Sequence, residues 1–203
     1  IVRARCFESG AIPGNIFTAS YFYGETLGTL PVVSVVADPE TLFGDVIGIY
    51  ENMHEPLTSR MNEVYKGKDA PGHIEYFPAD GGQGFQVNGG IRIGGENNWG
   101  SHEQKALNFS LRGKYGDDVI KYDLFPGSGI PVHGSITLRE GGDDWDDAML
   151  RDPMHSAIAK YRLEVETSDS RPSIVFINGT YWGIYNIRAR WDEQWFFEHY
   201  GVD

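Results

Sequence analysis

Cysteine is nearly absent. Cys6 is the only one in 203 residues, so no internal disulfide can staple the chain. Long apolar runs are missing too: none approaches the roughly 18 residues a membrane-spanning helix needs, and no basic start leads into an apolar leader-like segment. Positive charge is scarce, with 17 Lys and Arg against 29 Asp and Glu, a formal charge of −12 and a pI near 4.8. Long-range repulsion therefore opposes nonspecific approach to nucleic acid or anionic lipid, leaving room only for a localised basic pocket. The six histidines (His54, His73, His102, His133, His155, His199) show neither HxH nor HxxxH spacing, which disfavours zinc. No GxSxG elbow is present, and Cys6, in an apparent strand, reads as packed or idle.

What is present suffices for one substantial core: 40% of residues are hydrophobic and 13% aromatic. The first residue is Ile1, and IVRARCF already alternates like a strand, as expected of a piece cut from a longer protein. Residues 1–23 read as a hairpin, the end of a preceding β-sandwich module, with a boundary near residue 28. The β-branched run Pro31 to Val36 predicts a strand buried on both faces, opening the main domain over 29–203. Asp38-Pro39-Glu40 predicts a short capped helical turn, residues 53–68 stay undecided, and 73–122 read as strand and turn. Asp146 to Arg162 predicts a helix with Ala148, Leu150, Met154, Ile158 and Tyr161 along one side and a kink at Pro153. Asn178-Gly179 between two apolar runs predicts a tight hairpin, and Asp192 caps a last helix ending near Gly201. The fold class is α+β, mainly β.

Two stretches carry candidate chemistry. In GGIRIGGENNWGSHEQKALNFSLRGKYG, residues 89–116, one strand leads through a glycine-rich loop into a second strand that begins near Lys105. Backbone amides at Gly94 and Gly95 would cradle phosphates while Lys105 neutralises them; as a bland reading, the loop is structural and the lysine solvated. In SITLREGGDDWDD, residues 135–147, a strand runs through Gly141-Gly142 into an acidic helix start. Either the carboxylates only cap and solubilise, or Arg139 meets a phosphate and an Asp meets a metal or Lys105. The spacing does not match an EF-hand. Five Trp and eleven Tyr fit a core more readily than a sugar-stacking platform. Asn108-Phe109-Ser110 and Asn178-Gly179-Thr180 match the glycosylation sequon, a frequent chance match.

Six segments in this order, LPVVSVVADPETLFG, GIYEN, the 89–116 stretch, LREGGDD, MLRDPM and VFINGTYWGIYNIRARWDEQWFFEHYG, resemble the CotH spore-coat proteins, a family of atypical, secreted or spore-surface protein kinases. The likeness spans roughly residues 30–201, INGTYWGIYN being its most specific piece; residues 1–23 are similar to modules that precede such domains in surface and cellulase systems. The resemblance implies a diverged kinase-like fold and binding of ATP with Mg2+ through Gly94, Gly95, Lys105 and Arg139. It also implies surface or coat proteins as substrates and an extracellular or cell- or spore-surface location, while the net charge and the short apolar runs predict no nucleic-acid partner and no membrane span. Three positions depart from the family pattern: Glu140 and Asp143 stand where asparagine is usual, and Ala189 where glutamate is usual. The family's catalytic and metal-binding motifs follow the segment equivalent to 181–201, so this stretch is expected to bind nucleotide without transferring phosphate, with Mg2+ ligands outside it. The rival expectations are a noncatalytic polysaccharide-binding or cellulosome (cellulase-complex) assembly module, and a pseudokinase scaffold.

Overall fold

A computed structural model describes residues 1–24, 27–45, 48–50, 69–94, 102–163 and 165–201. A short antiparallel hairpin, β1 (Val2–Ala4) with β2 (Phe17–Ala19), precedes the main sheet. That sheet is a closed barrel of seven strands in the order β10-β11-β9-β6-β5-β4-β3. Its members are β3 (Val32–Ala37), β4 (Ala70–Phe77), β5 (Phe85–Ile93), β6 (Leu107–Ser110), β9 (Ser135–Arg139), β10 (Ser170–Ile177) and β11 (Thr180–Ala189). Neighbours pair antiparallel except at the seam, where β10 runs parallel to β3, Ile174 opposite Val32. Closure gives each of the seven strands a partner on both sides. β7 (Ile120–Lys121) and β8 (Val132–His133) form a small separate ribbon.

The period-two pattern sets the inside of the barrel. Val87, Ile91, Ile93, Leu107, Phe109 and Leu111 are all buried, as are all six residues of β3. Ile136 and Leu138 of β9 and Tyr185, Ile187 and Ala189 of β11 complete the same core. The Asn178-Gly179 turn forms as expected, both residues at positive φ (49° and 84°). Asn178 Oδ1 also accepts a hydrogen bond from the Ala37 amide at 3.0 Å, tying the turn to the end of β3.

α1 (Pro39–Phe43) is capped by Asp38, whose Oδ1 accepts from the Glu40 amide at 2.9 Å. α3 (Glu193–Tyr200) starts under the Asp192 cap and ends at Gly201 in the left-handed region. The middle helix departs from expectation. α2 runs only from Arg151 to Arg162 and buries no residue, leaving Leu150, Met154, Ile158 and Tyr161 half exposed or more. Its start is fixed by Asp144, whose carboxylate accepts from the amides of Leu150 (2.8 Å) and Arg151 (2.9 Å) and holds the preceding residues in a tighter turn. Those amide bonds, Arg151's first, also hold the Asp144 carboxyl below its usual range. Pro153 therefore falls in the first helical turn, where no intrahelical amide is lost and no kink is needed.

The first hairpin lies against the barrel. Thr18 and Ser20 are buried, Ser20 Oγ sits 2.8 Å from Ser34 Oγ, and the Phe22 ring meets Phe77 and Phe176 edge-on. Cys6 is exposed beyond the end of β1, neither packed nor paired. Residues 53–68 lie outside the described residues.

Candidate functional site

Alternation places the charged residues of β9 and β11 on the outer face of the barrel while Leu138 and Ile187 fill its inside. Asn186 pairs with Arg139 and Arg188 with Thr137, so the outward side chains of the two strands form one patch. A cleft of about 410 Å³ opens there, lined among others by Gly94, Asn108, Arg139, Ser156, Arg188 and Arg190. Gly94, at the end of β5, donates its amide to Ala106 O at 2.8 Å. A Cβ there would meet the Asn108 side-chain nitrogen at 2.9 Å, so glycine leaves room for that side chain against the end of β5. Thr137 donates its hydroxyl to Asn108 Oδ1 at 2.7 Å, fixing the cleft floor.

Asp152, in the first turn of α2, takes charge from two strands. Arg139 Nε lies 2.8 Å from Asp152 Oδ2 without the alignment of a hydrogen bond, and Arg188 Nη1 donates to the same oxygen. Arg188 Nη2 also reaches Ser156 Oγ at 3.4 Å. Arg190 donates to Ser110 Oγ at 3.1 Å and stands 3.7 Å from Asp192. Burial pushes the Arg188 guanidinium below its ordinary value, and the Asp152 charge opposes that. Three guanidiniums thus converge on one cleft in a chain whose net charge is strongly negative.

A second polar cluster lies on the inner face. Leu107 is opposite Leu138, and Leu138 opposite Ile187. Two residues further along each strand, the same alternation brings Lys105, Glu140 and Tyr185 to one level at the end of the barrel. All three are buried. Lys105 Nζ donates to His102 O at 3.3 Å and sits 5.3 Å from the centre of the Tyr50 ring. The Lys105 amide donates to Tyr50 Oη at 3.0 Å, Tyr185 donates to Lys105 O at 3.3 Å, and Trp182 Nε1 donates to Tyr50 Oη at 2.7 Å. Glu140 is 3% exposed, and among the described residues its Oε2 has no hydrogen-bond partner. Burial raises the Glu140 carboxyl, and burial first, then neighbouring charge, raises Tyr185.

Of the residues singled out from sequence, Gly94 and Arg139 share the outer cleft. Lys105 does not line it: the adjacent Ala106 does, while the lysine points to the opposite face. Gly95 lies outside the described residues, as does Trp99. Ala189 points into the core, four residues along β11 from Tyr185, about 13 Å at strand rise. Asp144, a candidate for metal or for Lys105, is engaged by the start of α2, and its ion pair is with Arg151 at 3.2 Å. Among the described residues, no three His, Cys, Asp or Glu side chains group to hold a metal ion. Among the described residues, no helix is long and apolar enough to cross a membrane.

Arg188 and Asp152 escaped the sequence reading. Alternate arginines at 188 and 190, closing a largely apolar strand, were the available signal for the first; nothing local marks Asp152. The tryptophans serve mostly in packing: Trp195 is buried, Trp182 joins the core through Tyr50, Trp145 donates to Gln104, and Trp191 is half exposed.

The family described as CotH kinase protein matches residues 91–201. That span is more than half of the chain and includes the arginine cleft together with Lys105, Glu140 and Tyr185. No curated protein matches the chain. The chain belongs to the CotH kinase protein family.

Proposed function

We propose that this chain is the ATP-binding portion of a diverged, kinase-like CotH domain and that the nucleotide's phosphates lie in the outer cleft against Gly94, Arg139 and Arg188. One observation carries the reading: three arginine side chains and the root of a glycine-rich loop line a single cleft in a chain of net charge −12. Guanidinium groups bind phosphate oxygens in pairs of parallel hydrogen bonds, which suits a polyphosphate better than a neutral sugar. Hydroxyls and amides of Asn108, Ser156 and Ser168 supply further partners at the same wall. Lys105 supports the site from the inner face, anchoring the chain where the loop returns through His102 O and the Tyr50 ring.

Mg2+ would neutralise charge building on the transferred phosphoryl group. The described residues do not fit it: the carboxylate nearest the cleft arginines, Asp152, is held between two of them. The role assigned to these residues is to bind and orient nucleotide, and the intact protein would phosphorylate hydroxyl side chains of surface or coat proteins outside the cell.

Calorimetric titration with Mg-ATP tests this. The protein should bind, and Arg139→Ala should weaken binding about tenfold, as expected for loss of one charge-assisted contact. No binding by the parent protein, or equal binding by the variant, would overturn the reading.

A further inference from the structure

Across the barrel from the arginine cleft, a separate cavity of about 250 Å³ opens between the first hairpin and strands β3, β4 and β5, with Arg3, Arg5, Asn15, His73, Asn88 and Tyr115 in its wall. Arg3 and Arg5 stand two apart on extended chain, so both reach the same side. Among the described residues neither makes an ion pair; Arg5 donates from its Nε to Gly14 O at 2.7 Å, and its guanidinium carbon lies 5.6 Å from the centre of the Phe7 ring, leaving both Nη groups without a carboxylate partner. The nearby carboxylates are otherwise engaged. Asp69, which accepts from Tyr115 through its carbonyl, pairs with Arg92 at 2.8 Å and Arg112 at 3.4 Å. Asp117 accepts from the Asn88 amide at 2.7 Å.

The second observation is His73, which is 7% exposed. Its Nδ1 lies 2.9 Å from Asn88 Oδ1. Because the Asn88 side-chain nitrogen faces Asp117 Oδ2 at 3.4 Å, its oxygen must face the ring, and His73 Nδ1 carries the hydrogen. Among the described residues, His73 Nε2 is left buried with no partner. A buried polar atom of this kind is rare without a ligand or water to meet it.

We infer that this cavity binds a small tetrahedral oxyanion, a phosphate or the phosphate group of a monoester. The two guanidinium forks supply charge and paired donors. His73 Nε2 meets a protonated oxygen of the ligand as acceptor. The site is independent of the nucleotide reading, because it shares no residue with the cleft at Arg139.

Titration of the protein with inorganic phosphate, and separately with phosphoserine, against chloride at equal ionic strength tests it. One saturable site is expected. Arg3→Ser combined with Arg5→Ser should raise the dissociation constant at least about tenfold while leaving the circular dichroism spectrum unchanged, since both side chains are exposed. Arg139→Ala should leave this affinity alone, and phosphate should move the Nε2 resonance of His73 in a nitrogen-15 spectrum. Tighter phosphoserine assigns a monoester, equal or weaker phosphoserine the free ion; both uphold the site. Absence of binding, binding untouched by the double variant, or an unmoved His73 resonance would overturn it.

Discussion

Arg139 and Glu140 are neighbours in sequence and face opposite environments. Arg139 opens onto a solvent-filled cleft with its side chain 37% exposed, whereas Glu140, next in line, is sealed at the end of the barrel with Lys105, Tyr50 and Tyr185 nearby. The same contrast separates Ala106, on the cleft wall, from Lys105 behind it. Charge inside must be satisfied by fixed groups, because water is excluded and an isolated ion is strongly disfavoured. Charge outside can exchange a protein partner for a ligand at little expense, since exposed ion pairs are weak. The inner cluster is thus suited to hold structure and the outer one to bind.

Substitutions can break that contrast. Tyr185→Ala should have the largest effect: it empties a fully buried site and removes the bond to Lys105 O, and denaturant unfolding should show about 3–5 kcal/mol of lost stability. Tyr185→Phe keeps the volume and loses only the hydroxyl, so about 1–2 kcal/mol is expected in the same measurement. On the outer face, Asp152→Asn should reduce stability by at most about 1 kcal/mol, yet it frees Arg139 and Arg188 and should tighten Mg-ATP binding in calorimetry. Weaker ATP binding in that variant would show that Asp152 orients the arginines and does not compete with the ligand.

The finest test is pH. Burial raises the folded-state pKa of Glu140, so the proton binds more tightly to the folded chain. Its contribution is fully present below the unfolded carboxyl value and is lost as pH rises through the folded one. Glu140→Gln should therefore stabilise the protein near neutrality, leave it unchanged in acid, and flatten the pH profile of the thermal midpoint. A variant less stable than its parent at neutral pH would mean that the ionised carboxylate is well paired inside.

Several elements were legible in the chain itself. The buried run of β3, the Asn178-Gly179 turn, the Asp38 and Asp192 caps and the alternation of β5 and β6 are each signalled by residue types within a few positions of one another. The helix after Gly142 was only half legible. Its periodic apolar residues suggested a face against a core, but Asp144 delays its start and Asp152 ties it to two arginines, so the stripe faces outward. Of the candidate phosphate ligands, Gly94 and Arg139 do meet, while Lys105 is turned away from them by the parity of its position in the strand.

Sequence alone fixed the mainly β character, the turns, the family likeness and the residue types able to grip phosphate, because sterics, capping and side-chain chemistry act locally. It left open which charges are buried and which are available. That was decided when β10 paired parallel to β3 and closed the barrel, since closure gives strands such as β9 and β11 one dry face and one wet face, and a residue's parity then determines which it occupies.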